Sequence, residues 1–589
     1  MTKRATPGTM TKQEVAELLD DIGTLLELRG ENKFKCIAFH NASRIIGALS
    51  GDLPSLIESK GLYDIKGIGK GIAAEIIQAV QTGRNATRED LLKTTPPGLL
   101  QMMRLQGLGP KRIRILHDKL GIKSIEELKK AAERHALADL DGFGAKTEAN
   151  ILQSIDRLSR HADKHLYSAA RAAADRILAE VAGFPGVIAC EAAGSLRRRK
   201  ETIGDIDILA SAKPADAPKI MKRFTAMEDV ESVTAHGATK SSVVLASGIP
   251  CDLRIVAPKE YPFALAYFTG SKEHNVEMRA RARRLGWSLN EYAFTSIGDA
   301  PAKKKPAPPP RCESEEEIYA ALKLAFVPPE LREDMGEFDA AAKSALPKLL
   351  EPGDLRGTFH CHTTYSDGTN TLEEMAAAAR ALGWEYLGIA DHSKVAAYAR
   401  GLTPERVRAQ QKEIDALNAK FPKFRLFKGT EVDILADGTL DWTDAVLATF
   451  DYVVASVHSK FNMTEAEATK RIIRAVKHKH VTMLGHPTGR LLLERDGYPV
   501  NMAEVIQAAA DYGTIIEINA HPMRLDLDWR LVRQARDKGV KIAINPDAHA
   551  TKGLLDVAYG VGIARKGWLE KKDVVNACTL KQVVAYMNR

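Results

Sequence analysis

From about residue 355 onward the chain repeats one polarity pattern, a short run of apolar and β-branched residues that ends in, or just before, a histidine or a carboxylate. The runs read GTFHCHTTYSDG, YLGIADHS, LFKGTEVDIL, YVVASVHS, VTMLGHP, TIIEINAH and VKIAINPDAH. Such a run predicts a buried strand, and the polar residue where the chain leaves the sheet then points into the mouth of a barrel, where chemistry sits. The first 160 residues carry a different pattern, three copies of an apolar residue, a polar residue, Gly-apolar-Gly and a helical stretch, in LYDIKGIGKGIAAEII, MMRLQGLGPKRIRIL and LADLDGFGAKTEANIL. The middle third contains IGDIDIL, which alternates at the strand period.

In chain order the polar groups at the predicted barrel mouth are His360, His362, Asp367, His392, Glu431, His458, His486, Asp547 and His549. Imidazoles and carboxylates without thiolates suit Mn, Zn or Fe, whereas sulfur would indicate a structural zinc or a cluster. His360 with His362, and Asp547 with His549, are spaced i, i+2, which on a strand places both side chains of each pair on one face. Two such pairs exceed the needs of one ion and predict a multinuclear site suited to phosphoester hydrolysis. Cys361, between the first two histidines, is expected to point away from the metals.

In the N-terminal repeat, the pairs Gly67 and Gly69, Gly107 and Gly109, and Gly142 and Gly144 allow a tight turn and close backbone approach. The helix that follows each pair aims free N–H groups at an anion, and Lys70, Lys111, Arg112 and Lys146 stand just after the glycines. A phosphate fits such a place. In IGDIDIL, Asp205 and Asp207 share a strand face while Ile206 and Ile208 face the packing. Paired carboxylates repel unless cations lie between them, and Asp252 in SGIPCDLRIVA is placed to complete a two-metal ligand set from a neighbouring strand.

Composition narrows the setting. The chain has 589 residues, enough for several domains, with 45% hydrophobic and 27% charged residues. Six scattered cysteines without a CxxC fit a reducing compartment. The first residues lack an apolar signal core and no apolar run is long enough for a membrane span, so a cytoplasmic chain with no membrane role is expected. A net charge of +8 mildly favours a polyanionic partner. Clustered prolines and a basic run meeting an acidic one mark residues 298–317 as a linker, with Lys303 to Lys305 read as a solvated charge run.

These motifs carry three resemblances. Residues 355–589 resemble a PHP (polymerase and histidinol phosphatase) domain with all nine ligand positions filled. The resemblance implies a distorted β/α barrel, up to three metal ions and phosphoesterase activity. The Gly-apolar-Gly repeats resemble helix-hairpin-helix motifs, which grip DNA backbone without reading sequence. The middle third, with GSLRRRKETIGDIDILAS and YFTGSKEHNVEMR, resembles the nucleotidyltransferase core of the family X DNA polymerases, of which DNA polymerase beta is a member.

That second family implies metal ligation by Asp205, Asp207 and Asp252, and nucleotide contacts from Ser195, Arg198, Gly204, Tyr267, Phe268, Gly270 and Asn275. It also places Arg254 beside a catalytic aspartate, Arg279 toward the template strand and Lys35 at a 5′-phosphate. Two departures stand out. Arg199 and Lys200 replace a Gly-containing pair after the double arginine, making the loop near the triphosphate bulkier and more basic. The lyase lysine of animal members falls on Glu75, which cannot form a Schiff base.

Together these imply a multidomain α+β and α/β chain: a helical region with helix-hairpin-helix motifs (1–90, then fingers-like 91–160), a nucleotidyltransferase palm (161–262), a thumb (263–335), a linker (336–354) and the PHP barrel (355–589). This order matches the bacterial and archaeal family X DNA polymerases. The implied function is short-gap filling in DNA repair with a 3′→5′ exonuclease, and abasic-site endonuclease or 3′-phosphoesterase activity as further options for the PHP site. The implied cofactors are Mg²⁺ or Mn²⁺ at the palm and Mn²⁺, Zn²⁺ or Fe in the barrel. Gapped or primed DNA and dNTPs are the expected partners of a monomer in the cytoplasm, nucleoid-associated in a prokaryote. The competing readings are a small-molecule PHP phosphatase fused to an unrelated nucleotidyltransferase, and a catalytically silent repair scaffold.

Overall fold

The computed structural model of the chain describes residues 10, 12–49, 53–103, 105, 107–138, 140, 142–161, 163–297 and 308–587. The chain divides into two compact units, Met1–Ala162 and Asp163–Arg589. The first is helical. Its opening helix, Lys12–Arg29, contributes Leu19, Ile22 and Leu26 to one apolar cluster and Leu28 to a second one built on Leu99, Ile113 and Leu128. Each Gly-apolar-Gly segment joins two helices, the second of which begins at Lys70, Pro110 or Ala145.

In the second unit a five-stranded sheet forms from β1 (Val187–Ala192), β2 (Ile206–Ala212), β3 (Val230–His236), β4 (Lys240–Leu245) and β5 (Pro250–Val256), in the order β1-β2-β5-β4-β3. Only β2 and β5 run parallel, and their register sets Asp207 opposite Asp252. Strand alternation sends Ile206, Ile208 and Leu253 into a core with Ile177 and Phe224 of the covering helices. The opposite face keeps the aspartates. There Leu209 packs against Ala264 and Leu265 of helix Tyr261–Thr269, which leads into the thumb.

The C-terminal strands β6 (Gly357–Cys361), β7 (Tyr386–Ile389), β8 (Arg425–Asp433), β9 (Tyr452–Ser456), β10 (Met483–Leu484), β11 (Ile515–Asn519) and β12 (Ile542–Asn545) pair in sequence order, all parallel. The Thr358 hydroxyl donates to the carbonyl of Ile544 at 2.9 Å and the His362 amide to that of Ala548 at 2.8 Å, so the first strand meets the last. A distorted seven-stranded β/α barrel results.

The linker expectations change. Lys303 to Lys305 lie outside the described residues. The acidic end of the 298–317 stretch is a helix, Glu315–Ala321, and Glu315 is buried against Arg197 (2.7 Å) and Arg332 (2.7 Å). Parts of residues 336–354 are packed: Phe338 and Ala341 join an apolar cluster with Phe263, Met278 and Leu331, and the buried Glu337 lies 2.8 Å from His274. Long-range contacts, invisible in local composition, order both segments: ion pairs at Glu315 and a hydrogen bond to His274 at Glu337. All six cysteines are unpaired. Among the described residues no helix is long and apolar enough to cross a membrane.

Candidate active sites

All nine predicted ligands meet at the barrel mouth. Four overlapping groups form, His362 with Asp367, His392 and His549; His360 with Glu431 and His486; His360 with His362 and Asp547; and His392 with Glu431 and His458, with the ligand atoms of each group within 4.8 Å of one another. Glu431 is central: its oxygens lie 2.9 Å from His392, 3.0 Å from His486, 3.2 Å from His360 and His458, and 3.8 Å from His362. A carboxylate shared among five imidazoles is placed to bridge ions. Yet His360 Nε2, His362 Nδ1, His392 Nδ1 and His486 Nδ1 are buried without a hydrogen-bond partner. Buried polar atoms are rarely left so, and nitrogens aimed at a common space rather than at one another fit metal coordination.

The i, i+2 argument needs correction. Strand β6 bulges between Thr358 and Cys361, and His360 takes a left-handed φ of 56°, so simple alternation does not hold there. Asp547 (φ 52°) and His549 lie beyond the end of β12, and His486 also has positive φ (25°). The rings still converge, with His360 and His362 centroids 5.4 Å apart. Backbone strain at three ligands is the kind of cost that functional sites carry. Cys361 points into an apolar cluster with Leu387 and Ile414, away from the site.

The carboxylates and imidazoles of the mouth shift one another strongly. Although burial opposes it, the imidazoles hold Glu431 well below the usual carboxylate range, and Asp547 likewise. His458 is raised to about 10, against its burial, by Glu431 and Asp433. Burial and the neighbouring His549 and His392 push His362 down to about 3, and burial and Arg524 push His486 down to about 4. Neutral imidazole and ionised carboxylate are the ligand forms a divalent ion requires; Glu431, Asp547, His362 and His486 are shifted toward those forms, whereas His458 would have to give up its proton to an ion.

Three residues escaped the sequence reading. Glu517 on β11 is fully buried, accepts a hydrogen bond from His360 at 2.8 Å and takes the His486 amide at 2.6 Å. A carboxylate between Ile516 and Ile518 in a strand buried throughout was the available signal, since such a charge must have partners. Asp433 pairs with His458 Nδ1, and Arg524 lies 3.6 Å from Asp547. Such outer partners orient ligands and fix tautomers.

At the palm, Asp205 is exposed just before β2, while Asp207 and Asp252 are half-buried. Burial, then Asp205 and Asp252, raise Asp207 to about 6. Lys240 Nζ lies 2.6 Å from Asp252, so among the described residues the three aspartates do not gather into a group as tight as those of the barrel. Gly194 has φ 59°, and a Cβ there would come within 2.2 Å of an Asp207 oxygen, so the Gly-Ser turn makes room for that carboxylate. A Cβ on Gly270 would strike the Asn275 amide at 2.4 Å, and Asn275 donates to the Tyr267 carbonyl at 2.7 Å. Tyr267, Asn275 and Arg279 line one pocket. Phe268 packs edge-on against Tyr267 and beneath Arg254, whose guanidinium is 4.4 Å from the ring centre. Ser195 and Gly204 flank the site, half-buried, and Arg198 donates to Glu333 at 3.0 Å and to the Thr269 carbonyl at 2.6 Å.

The hairpins share one geometry. Gly67, Gly107 and Gly142 have φ of 99°, 86° and 81°, while the apolar residues between the glycines, Ile68, Leu108 and Phe143, are buried. Gly69 and Gly109 cap the next helix at ordinary negative φ, and a Cβ on either, or on Gly144, would meet nothing within 4 Å. Fold alone does not demand glycine at these second positions. Lys70, Lys111 and Lys146 are exposed beside them, and Lys35 is exposed 3.8 Å from Glu31. Glu75 accepts hydrogen bonds from Asn85 (2.6 Å) and Thr87 (2.7 Å), a structural tie.

Comparison with known proteins matches four regions of the chain. Residues 10–85 match the helix-hairpin-helix domain, 99–157 the SAM-like helix-hairpin-helix tandem, 264–333 the DNA polymerase beta thumb and 358–521 the PHP domain. The chain is 40% identical over 98% of its length, and over 100% of the relative's, to the DNA polymerase/3′-5′ exonuclease PolX of Bacillus subtilis. A stretch of 203 residues is 30% identical to a probable phosphatase of Thermoanaerobacter sp., covering 33% of this chain and 78% of that one. Another is 28% identical over 200 residues to a probable phosphatase of Caldicellulosiruptor saccharolyticus, covering 32% of this chain and 78% of that one.

Proposed function

The chain belongs to the family X DNA polymerases that carry a C-terminal PHP domain, and on that premise we propose that it fills short gaps in DNA during repair and removes nucleotides from 3′ ends. The observation that carries the proposal is the coexistence of a palm with paired carboxylates on parallel strands and a barrel mouth with nine converging ligands. Divalent cations, which we assign as Mg²⁺ or Mn²⁺ at the palm and up to three Mn²⁺, Zn²⁺ or Fe ions in the barrel, supply Lewis acidity and charge neutralisation when bound. Asp205, Asp207 and Asp252 hold those of the palm.

Ser195 and Arg198 receive the triphosphate, with Gly204 leaving room beside it. Tyr267 and Phe268 stand against the deoxyribose, Tyr267 sensing a 2′-hydroxyl, and Asn275, seated against Gly270, faces the incoming base. Arg279 reaches the template strand, and Arg254 steadies the aspartate side of the site. Gly67, Gly69, Gly107, Gly109, Gly142 and Gly144 with the nearby lysines grip phosphates, and Lys35 binds a 5′-phosphate at the gap. In the barrel, Glu517 orients His360 and Asp433 orients His458, so their imidazoles stay fixed toward the ions. We take the protein to act as a monomer in the prokaryotic cytoplasm, on nucleoid DNA.

The test is a one-nucleotide-gapped duplex with a labelled primer, assayed for extension and degradation in Mg²⁺ and in Mn²⁺. Asp205→Ala with Asp207→Ala is expected to abolish extension and spare degradation, and His360→Ala with His362→Ala to do the reverse. Loss of both activities in either folded variant refutes separate sites. The likeness of the barrel to probable phosphatases favours a second activity at the same mouth, removal of 3′-phosphates; release of inorganic phosphate from a 3′-phosphorylated primer decides it.

A further inference from the structure

Arg199 and Lys200, the pair that follows the double arginine, do not hang free at the triphosphate site. Arg199 takes a left-handed φ of 53°, lies 3.5 Å from Glu330 and packs so closely on the barrel helix Val557–Lys566 that a Cβ on Gly562 would come within 3.0 Å of its Cδ. Glu330 is shared with Arg565 of that helix at 2.8 Å. Next to it Glu333 gathers three cations: Arg198 at 3.0 Å, Lys200 at 3.3 Å and Lys566 at 2.6 Å. Lys566 belongs to the barrel, and its side chain is fully buried. Its ammonium also donates to the carbonyls of Arg198 and Glu330 at 3.2 Å and sits 4.5 Å from the centre of the Trp529 ring.

We propose that Glu333 and Lys566 form a charge couple that sets how readily Arg198 is released to the incoming triphosphate, which makes the PHP barrel a positioning element of the polymerase site. The inference rests on the polymerase reading above, with Arg198 as a triphosphate contact. The Arg198 Nε is spent on Glu333. A triphosphate must compete with that carboxylate for the guanidinium, because both are anions seeking the same donors. Lys566 weakens the competitor by neutralising Glu333 from its other side. Without Lys566, a buried carboxylate short of one partner draws harder on those that remain. Glu333 and Lys566 are thus positioning residues, acting on the nucleotide through Arg198.

The experiment is steady-state addition of one nucleotide to a gapped primer by the full chain, with KM for the dNTP and kcat measured separately for wild type, Lys566→Met, Glu333→Gln and the double variant. Lys566→Met is expected to raise KM about five-fold with kcat nearly unchanged, and Glu333→Gln to lower KM. In the double variant KM should return to the Glu333→Gln value, because Lys566 acts only through that carboxylate. Single variants that both raise KM, with effects that add, would show a merely structural role and overturn the proposal. So would an unchanged KM in a folded Lys566→Met that still degrades 3′ ends. If Lys566→Met does not fold, Glu333→Gln decides alone, and a raised or unchanged KM overturns the couple. A wild-type chain that fails to extend the primer would instead refute the polymerase reading itself.

Discussion

His360 Nδ1 lies 2.8 Å from an oxygen of Glu517, and both side chains are fully buried. The carboxylate thereby settles which nitrogen of His360 faces the ions. Glu517→Gln keeps the shape and removes the charge. Degradation of 3′ ends and metal retention after dialysis, measured by elemental analysis, are expected to fall by about 10- to 100-fold. Primer extension should not change. Full exonuclease activity with full metal content would show that Glu517 serves packing alone.

Gly69→Ala and Gly109→Ala separate fold from binding in the hairpins. Both positions have ordinary φ and open space for a methyl group. The loss of a better N-cap and the gain from a stiffer unfolded chain offset each other, leaving stability within about 1 kcal/mol of wild type. Affinity for gapped DNA is expected to drop, with a shallower dependence on salt as phosphate contacts are lost. Thermal melts and binding titrations at several salt concentrations read both quantities; an unchanged salt slope would mean that the hairpins only pack.

Much of this was legible in the chain itself, for local reasons. Nine ligands lay at the ends of apolar runs, and Gly-apolar-Gly with a buried middle residue is a short-range pattern. What escaped depends on distant partners. Glu517 looked like one polar interruption of a strand until His360, far away in sequence, was brought to it. Glu315 and Glu337 sat in stretches whose composition suggested linkers, yet Glu315 is buried in ion pairs with Arg197 and Arg332, and Glu337 in a hydrogen bond with His274. The positive φ of His360, His486 and Asp547 was hidden too, because none of these residue types advertises a left-handed backbone as glycine does.

Lys566 gives the coupling a pH signature. Burial pushes its ammonium down from 10.5 to about 8 against the pull of Glu333, while Lys200 and Arg198 add to the lowering. Between about 8 and 10.5 the unfolded chain therefore binds the additional proton, so this group's contribution to stability rises with pH across that window. Relative to Lys566→Met, the wild type should gain thermal stability from pH 8 to 10. Over the same range its KM for dNTP should climb toward the value of the Met variant, as the neutral amine ceases to offset Glu333. Parallel pH profiles of the two proteins would count against the couple.

Glu75 makes a chemical prediction. A carboxylate held by Asn85 and Thr87 cannot form an imine with a ring-opened sugar. Borohydride is expected to trap little or no covalent complex with a 5′-deoxyribose phosphate end that the protein demonstrably binds. Efficient trapping that disappears in Lys70→Ala or Lys35→Ala would relocate the nucleophile to an exposed amine.

The packing of helix Val557–Lys566 on the Arg199 loop bears on how one DNA end is served by two chemistries. A proofreading module on a tether swings out to meet a mispaired terminus. Here the barrel is held to the palm by buried charges, and swinging it away would strip Lys566 of Glu333 and of the Arg198 and Glu330 carbonyls, and take Arg565 from Glu330. On the function proposed above, the traffic then falls to the substrate: the primer strand would have to unpair and travel from one centre to the other, and the ease with which its last base pairs fray would be the switch between building and erasing.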